Sequence, residues 1–158
     1  MPRVTVLRRV EGHGMRRFLN EEEVLRAVAD ETGVHRVTWV FPHRQTPALE
    51  TFASFCSFDI LITPYTAALS NLWIAHPGSS VIEIQGKRAP LSKKYISLSD
   101  SVNVHHQIVR SVDNGSLDDN GSGGRWKAWD HIVNVFHLRI ALRRAMKNIR
   151  RQKILINK

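Results

Sequence analysis

Residues 58–84, FDILITPYTAALSNLWIAHPGSSVIEI, decide the fold. The runs FDILITP and SVIEI place apolar, largely β-branched residues at consecutive rather than alternate positions, the pattern of strands covered on both faces. Between them TAALSNLWIA, beginning after Pro64, reads as a short apolar helix, and Pro77-Gly78 as a turn. A strand, a helix and a second strand of this kind make a parallel unit with a crossover. Upstream, Val4–Leu7 (VTVL) is another buried-type run, and Gly12 and Gly14 mark a loop. Asn20 followed by Glu23 fits an N-cap with a reciprocal carboxylate, and three glutamates in that first turn suit the helix dipole. Val24, Leu25, Ala27 and Val28 supply an apolar face, and Gly33 a stop. HRVTWVF then reads as a strand and ALETFASFC as a helix. The order β-α-β-α-β-α-β predicts an α/β, Rossmann-like three-layer domain with a mostly parallel sheet. Its ligand is expected at the carboxyl ends of the strands.

Beyond Glu83 the pattern loosens. YISLS reads as a short strand, DNGSLDDNGSGG (113–124) as a flexible linker, and Trp126 to about Arg151 as one helix. Trp129, Val133, Phe136 and Ile140 share one face of that helix, with Arg139, Arg143, Lys147 and Arg150 in a stripe beside it. The expected layout is a Rossmann-like domain over 1–112, a linker over 113–125 and a basic amphipathic helix over 126–158, its charged distal half solvated. The net charge of +9 invites a nucleic-acid reading, but its distribution argues otherwise. Residues 1–124 hold 13 Lys and Arg against 13 Asp and Glu, whereas 125–158 hold ten against Asp130 alone. The body is balanced and the excess belongs to the C-terminal segment. No run approaches the roughly 20 apolar residues of a membrane span, and the N-terminus lacks a signal-peptide apolar block, so a soluble chain without a targeting address is expected. Cys56, the single cysteine, lies in FASFCSF and is expected to be buried and inert.

Three places converge on the carboxyl end of the expected sheet. The loop after the first strand, RRVEGHGMRR (8–17), offers guanidinium forks and glycines that suit a diphosphate, although a solvated arginine loop fits equally well. Tyr65-Thr66-Ala67-Ala68-Leu69-Ser70-Asn71 opens a helix directly after a strand. Its small residues allow a phosphate or sugar to approach free N–H groups, or simply permit helix–sheet packing. Glu83 is a carboxylate inside an apolar strand, which is costly unless it is paired or lies at the strand's mouth. Two ribose hydroxyls could satisfy it, and so could an internal salt bridge, for example to Arg9. The eight histidines show no metal-ligand spacing, and adjacent His105-His106 read as surface residues. Asp118-Asp119 and the formal glycosylation triplets at Asn114 and Asn120 lie in the expected linker and carry little weight.

Taken in order, RRVEGHGMRRFLNEEEV, FDILITPYTAALSNLWIAHPGSSVIEI and, more loosely, KKYISLS resemble glycosyltransferase family 61. That family includes protein O-linked GlcNAc transferases and plant xylan glycosyltransferases. The resemblance spans about Val4 to Ser99 and implies the C-terminal, nucleotide-sugar-binding half of a GT-B enzyme. It implies that Arg8 or Arg9, together with Arg16, faces the donor diphosphate. It further implies that Ser70 and Asn71 close the helix-start motif, with Tyr65, Thr66 and Ala67 lining it, and that Glu83 lies near the ribose. Where the family reads HGAGLTN this chain reads YTAALSN, which removes an imidazole and two glycines and narrows backbone approach. The implied function is donor binding in an inverting transfer to a protein or glycan hydroxyl. The donor would be UDP-linked and no metal or other cofactor would be required. The acceptor side would lie on an N-terminal domain missing here, so that this chain, a fragment or degenerate copy, would be inactive alone. Localisation by resemblance is the endoplasmic reticulum or Golgi lumen, otherwise the cytoplasm. Two further readings stand beside it: a non-catalytic nucleotide- or partner-binding module, and a nucleic-acid or membrane-surface binder acting through the basic helix.

Overall fold

The computed structural model describes residues 1–7, 17–35, 37–40, 48–87, 93–112 and 131–156. Strands β1 (Val4–Leu7), β2 (Thr38–Val40), β3 (Ile60–Pro64), β4 (Ser80–Gln85), β5 (His105–Val112) and β6 (Ile132–Val133) form one sheet in the order β2-β1-β3-β4-β5-β6. The first five are parallel, and only β6 runs antiparallel, against the end of β5. Every residue of β1, β3 and β4 is buried, as their predominantly apolar, non-alternating runs lead one to expect. The α/β fold with a mostly parallel sheet is therefore the one expected from the sequence.

Two apolar cores lie on the two faces of the sheet. Val4, Val6, Ile60, Ile62, Ile82 and Ile84 meet helices α1 (Glu21–Thr32) and α4 (Val135–Ile156). Leu7, Leu61 and Val81 meet α2 (Ala48–Ser57), a 3-10 helix (Ala67–Ile74) and α3 (Lys94–Ser101). The alternation of successive strand residues between faces produces this division.

Several local readings change. Asn20 makes no side-chain cap. Instead its amide exchanges bonds with the Val133 backbone, Val133 N–H donating to Oδ1 at 2.8 Å and Nδ2 donating to the Val133 carbonyl at 3.0 Å. Asn20 thus pins β6, an element that periodicity did not reveal. Helix α1 ends as expected at Gly33, whose φ of 71° is left-handed. YISLS lies in helix α3, not a strand. The expected helix after Pro64 is of 3-10 type, and its burial repeats every third residue: Thr66, Leu69, Leu72 and Ala75 are buried while Ala67, Ser70 and Trp73 are exposed. Cys56 is exposed, on the outward side of α2.

The C-terminal helix starts at Val135 rather than Trp126, after β6. The Asn134 side chain accepts from His137 N–H at 3.1 Å, within the helix's first turn. The buried stripe is Leu138, Leu142, Ala145 and Ile149, not the one through Phe136, which is 70% exposed. Both stripes have helical spacing, so sequence alone did not choose between them. The acidic end of α1 favours the observed rotation. Arg139 donates to Asp30 at 2.6 Å and Glu31 at 3.1 Å, and Arg143 donates to Glu31 at 2.7 and 2.8 Å. These partners hold the Glu31 carboxyl below its ordinary range, chiefly through the Arg143 hydrogen bonds. Docking continues into the distal half, where Asn148 Nδ2 donates to the Gly78 carbonyl at 3.0 Å. The expectation of a free distal half does not hold, because Leu142, Ala145 and Ile149 are all in the core. Trp126, Trp129 and the linker lie outside the described residues.

Candidate functional site

With five parallel strands, the carboxyl ends Leu7, Val40, Pro64, Gln85 and Val112 gather on one edge. β1 is flanked by β2 on one side and β3 on the other, so the winding reverses between β1 and β3. At that edge a reversal opens a crevice, because the segments leaving the two strands turn to opposite faces. The segments concerned are 8–16, leaving β1, and 65–71, leaving β3. They correspond to two of the three places that sequence reasoning singled out, the third being Glu83. Arg8, Arg9 and Arg16 themselves lie outside the described residues.

After β3, Tyr65 N–H donates to the Ile84 carbonyl at 2.9 Å, which ties the segment to the end of β4. The Tyr65 ring lies 5.7 Å from that of Tyr95 on α3. Thr66 is extended, buried, and caps the 3-10 helix, its hydroxyl accepting from Ala68 N–H at 3.5 Å. Ala67 and Ser70 stand on the exposed row, whereas Asn71 is half-buried on the next row. Ser70 Oγ donates to the Ala67 carbonyl at 2.7 Å and keeps lone pairs for an external donor. Trp73 continues the exposed row and meets Phe52 of α2 edge to face, with ring centroids 6.3 Å apart. The structure thus brings Tyr65, Thr66, Ala67 and Ser70 together at the strand edge.

Glu83 has a different setting from the ribose contact expected of it. It is 1% exposed, and both oxygens have protein partners. Gln85 Nε2 donates to Oε1 at 2.5 Å, and His106 Nε2 lies 2.9 Å from Oε2. His106 Nδ1 is 2.7 Å from Ser99 Oγ, which in turn donates to the Tyr95 carbonyl at 2.8 Å. This chain crosses from β4 through β5 to α3. The His106 side chain is 1% exposed, so it is not the surface residue that its neighbour suggested. The Ser–His–Glu order has the connectivity of a hydrolase triad. Ser99 is fully buried, however, and its proton is directed to a backbone carbonyl, so the network binds α3 to the sheet. A usable signal was present in the sequence. Adjacent strand residues face opposite ways, so one of His105 and His106 had to point inward, and an internal carboxylate needed a partner. On the other face His105 is held below the ordinary imidazole range, first by burial and then by nearby Arg144 and His106.

Two other features bear on the assignment. A cavity of about 460 Å³ lies at the opposite, amino-terminal edge, lined by Met1–Val4, Gly33–His35 and Thr38. It lies at the other end of β1 from the winding reversal. Among the described residues no cluster of three or more His, Cys, Asp or Glu could hold a metal ion.

Fold and strand order together define a doubly wound α/β domain with its switch point between β1 and β3. Similar solved structures include the flavodoxin-like domain from a Synechococcus species, at 13% identity and a TM-score of 0.55, covering 94% of this chain and 99% of that one. The metal-soaked Flv1 flavodiiron core from Synechocystis sp. PCC6803 matches at 10% identity and a TM-score of 0.50, covering 98% of this chain and 36% of that one. At such identities the likeness is one of fold alone. No curated protein matches the chain in sequence. The glycosyltransferase 61 family matches residues 1–82, just over half of the 158, and the chain belongs to that family. The match takes in 8–16 and 65–71 and stops one residue short of Glu83.

Proposed function

We propose that this chain holds the nucleotide-sugar donor, UDP-linked, of an inverting family 61 glycosyl transfer, in the crevice at the carboxyl ends of β1 and β3. The observation that carries the reading is the strand order. It places the winding reversal between the two strands whose following segments both lie inside the family match. Charge then divides the roles. The first turn of α1 carries Glu21, Glu22 and Glu23, which already occupy the favourable end of its dipole and repel a diphosphate. Neutralising that diphosphate therefore falls to Arg8 or Arg9 and Arg16, whose guanidinium forks match phosphate oxygens without a metal. Ala67 and Ser70 present the small, exposed row along which the donor lies.

The enclosed Glu83–His106 pair offers no base to an acceptor hydroxyl. Donor holding, rather than complete transfer, is thus the function assigned to this chain, with the acceptor side supplied from outside it. Tyr65 packed on Tyr95 and buried Thr66 narrow the approach that a Gly-rich version would leave open. That favours binding over fast turnover.

The test is residue-resolved titration of the full chain with UDP and UDP-sugars by amide NMR. The reading expects shifts at Tyr65–Asn71 and Gln85–Gly86. Shifts confined to the amides of Arg3, Val4 and Gly33–His35, at the amino-terminal cavity, would contradict it.

A further inference from the structure

We propose that the outer face of α4 is a docking surface for an anionic lipid bilayer. Its inner face, Leu138, Leu142, Ala145 and Ile149, is committed to the core, which fixes the rotation of the helix and decides what points outward. At about 100° per residue, Phe136, Arg143, Lys147, Arg150 and Ile154 fall within roughly 60° of one another on the opposite side, with Arg144 and Arg151 beside them. All of these residues are exposed. The helix contains no Asp or Glu from Val135 to Ile156. Only Arg139 and Arg143 are turned toward the acidic end of α1, and the others face solvent along a rod about 27 Å long between Phe136 and Ile154.

A cationic row alone would suit any polyanion. The apolar ends distinguish the partner: Phe136 is 70% exposed and Ile154 60%, one at each end of the row and on the same side. Placed on a bilayer, the cations meet lipid headgroups while the two apolar side chains enter the acyl boundary. A nucleic-acid backbone would leave both in water. No helix among the described residues is long and apolar enough to cross a membrane, so the contact is parallel to the surface. Residues 1–124 are balanced in charge, so the net positive excess lies in the segment that contains α4.

Co-sedimentation of the full chain with phosphatidylcholine vesicles, with and without phosphatidylserine, tests this, with an RNA duplex and a heparin column alongside. Binding should require phosphatidylserine and fall at least about tenfold at high salt or in the triple variant R144E/K147E/R151E. The milder R144Q/K147Q/R151Q should weaken it in the same direction, and thermal melts should show both variants folded. Phe136→Ser with Ile154→Ser should lower vesicle binding severalfold and leave heparin retention unchanged. Equal binding to vesicles with and without phosphatidylserine, or none to either, would overturn the proposal. So would RNA binding tighter than vesicle binding and indifferent to the Phe136 and Ile154 changes.

Discussion

Removing the His106 imidazole should be among the costliest single changes in this protein, whereas neutralising its partner Glu83 should be nearly silent. Both side chains are 1% exposed, and their atoms are 2.9 Å apart. His106→Ala leaves a buried carboxylate with Gln85 as its remaining partner, and leaves a cavity between β5 and α3. Breaking one side of a buried pair costs about 3–5 kcal/mol. That is a large share of the roughly 5–15 kcal/mol that holds a domain folded. Glu83→Gln has the opposite outcome because the whole chain of bonds can be rebuilt without charge. In the rebuilt network Ser99 Oγ donates to the Tyr95 carbonyl and the Nδ1–H tautomer of His106 donates to Ser99, along contacts already in place. The new amide at position 83 donates to His106 Nε2 and accepts from Gln85 at the same sites that the carboxylate used. Every donor and acceptor stays satisfied, so the expected cost is within about 1 kcal/mol. Urea unfolding at neutral pH measures both. A His106→Ala loss below about 0.5 kcal/mol, the level of an ordinary surface substitution, would refute the reasoning. So would a Glu83→Gln loss equal to that of His106→Ala.

Leu142→Ala, at a fully buried site on α4, should cost about 2–5 kcal/mol, and truncation before residue 142 should prevent cooperative unfolding altogether. A truncated chain with an unchanged melting curve would mean that α4 does not dock. The lowered Glu31 carboxyl contributes stability that is fully present above the ordinary carboxylate range and lost as pH falls through its folded value. Arg143→Gln should therefore flatten the acid limb of a stability–pH curve, and an unchanged limb would contradict the pairing. His105 works in the same direction at higher pH. Its lowered value means that folding expels a proton, so stability should rise with pH across the range just below the ordinary imidazole value. His105→Asn should remove that slope.

The layered fold was legible because three strands carry apolar residues at consecutive rather than alternate positions, a pattern that double coverage explains. The helix start after β3 was legible as well, since it follows such a strand directly. Elements that escaped reading depend on partners distant in sequence. β6 is two residues long and exists through β5 and through Asn20, more than a hundred residues away. α3 looks strand-like in isolation, and its Ser99 is tied down by His106. The rotation of α4 was ambiguous between two apolar stripes and agrees with carboxylates on α1. Glu83 was rightly marked as a residue needing a partner, but the partner is a histidine whose inward orientation depends on β5, an element not foreseen.

Isothermal titration of the full chain with UDP, without added metal, tests the central claim most directly. The account predicts saturable binding that is abolished by Arg9→Glu or by Arg16→Glu while thermal melts show an intact fold. No heat of binding for UDP, or an affinity that both variants leave unchanged, would contradict it.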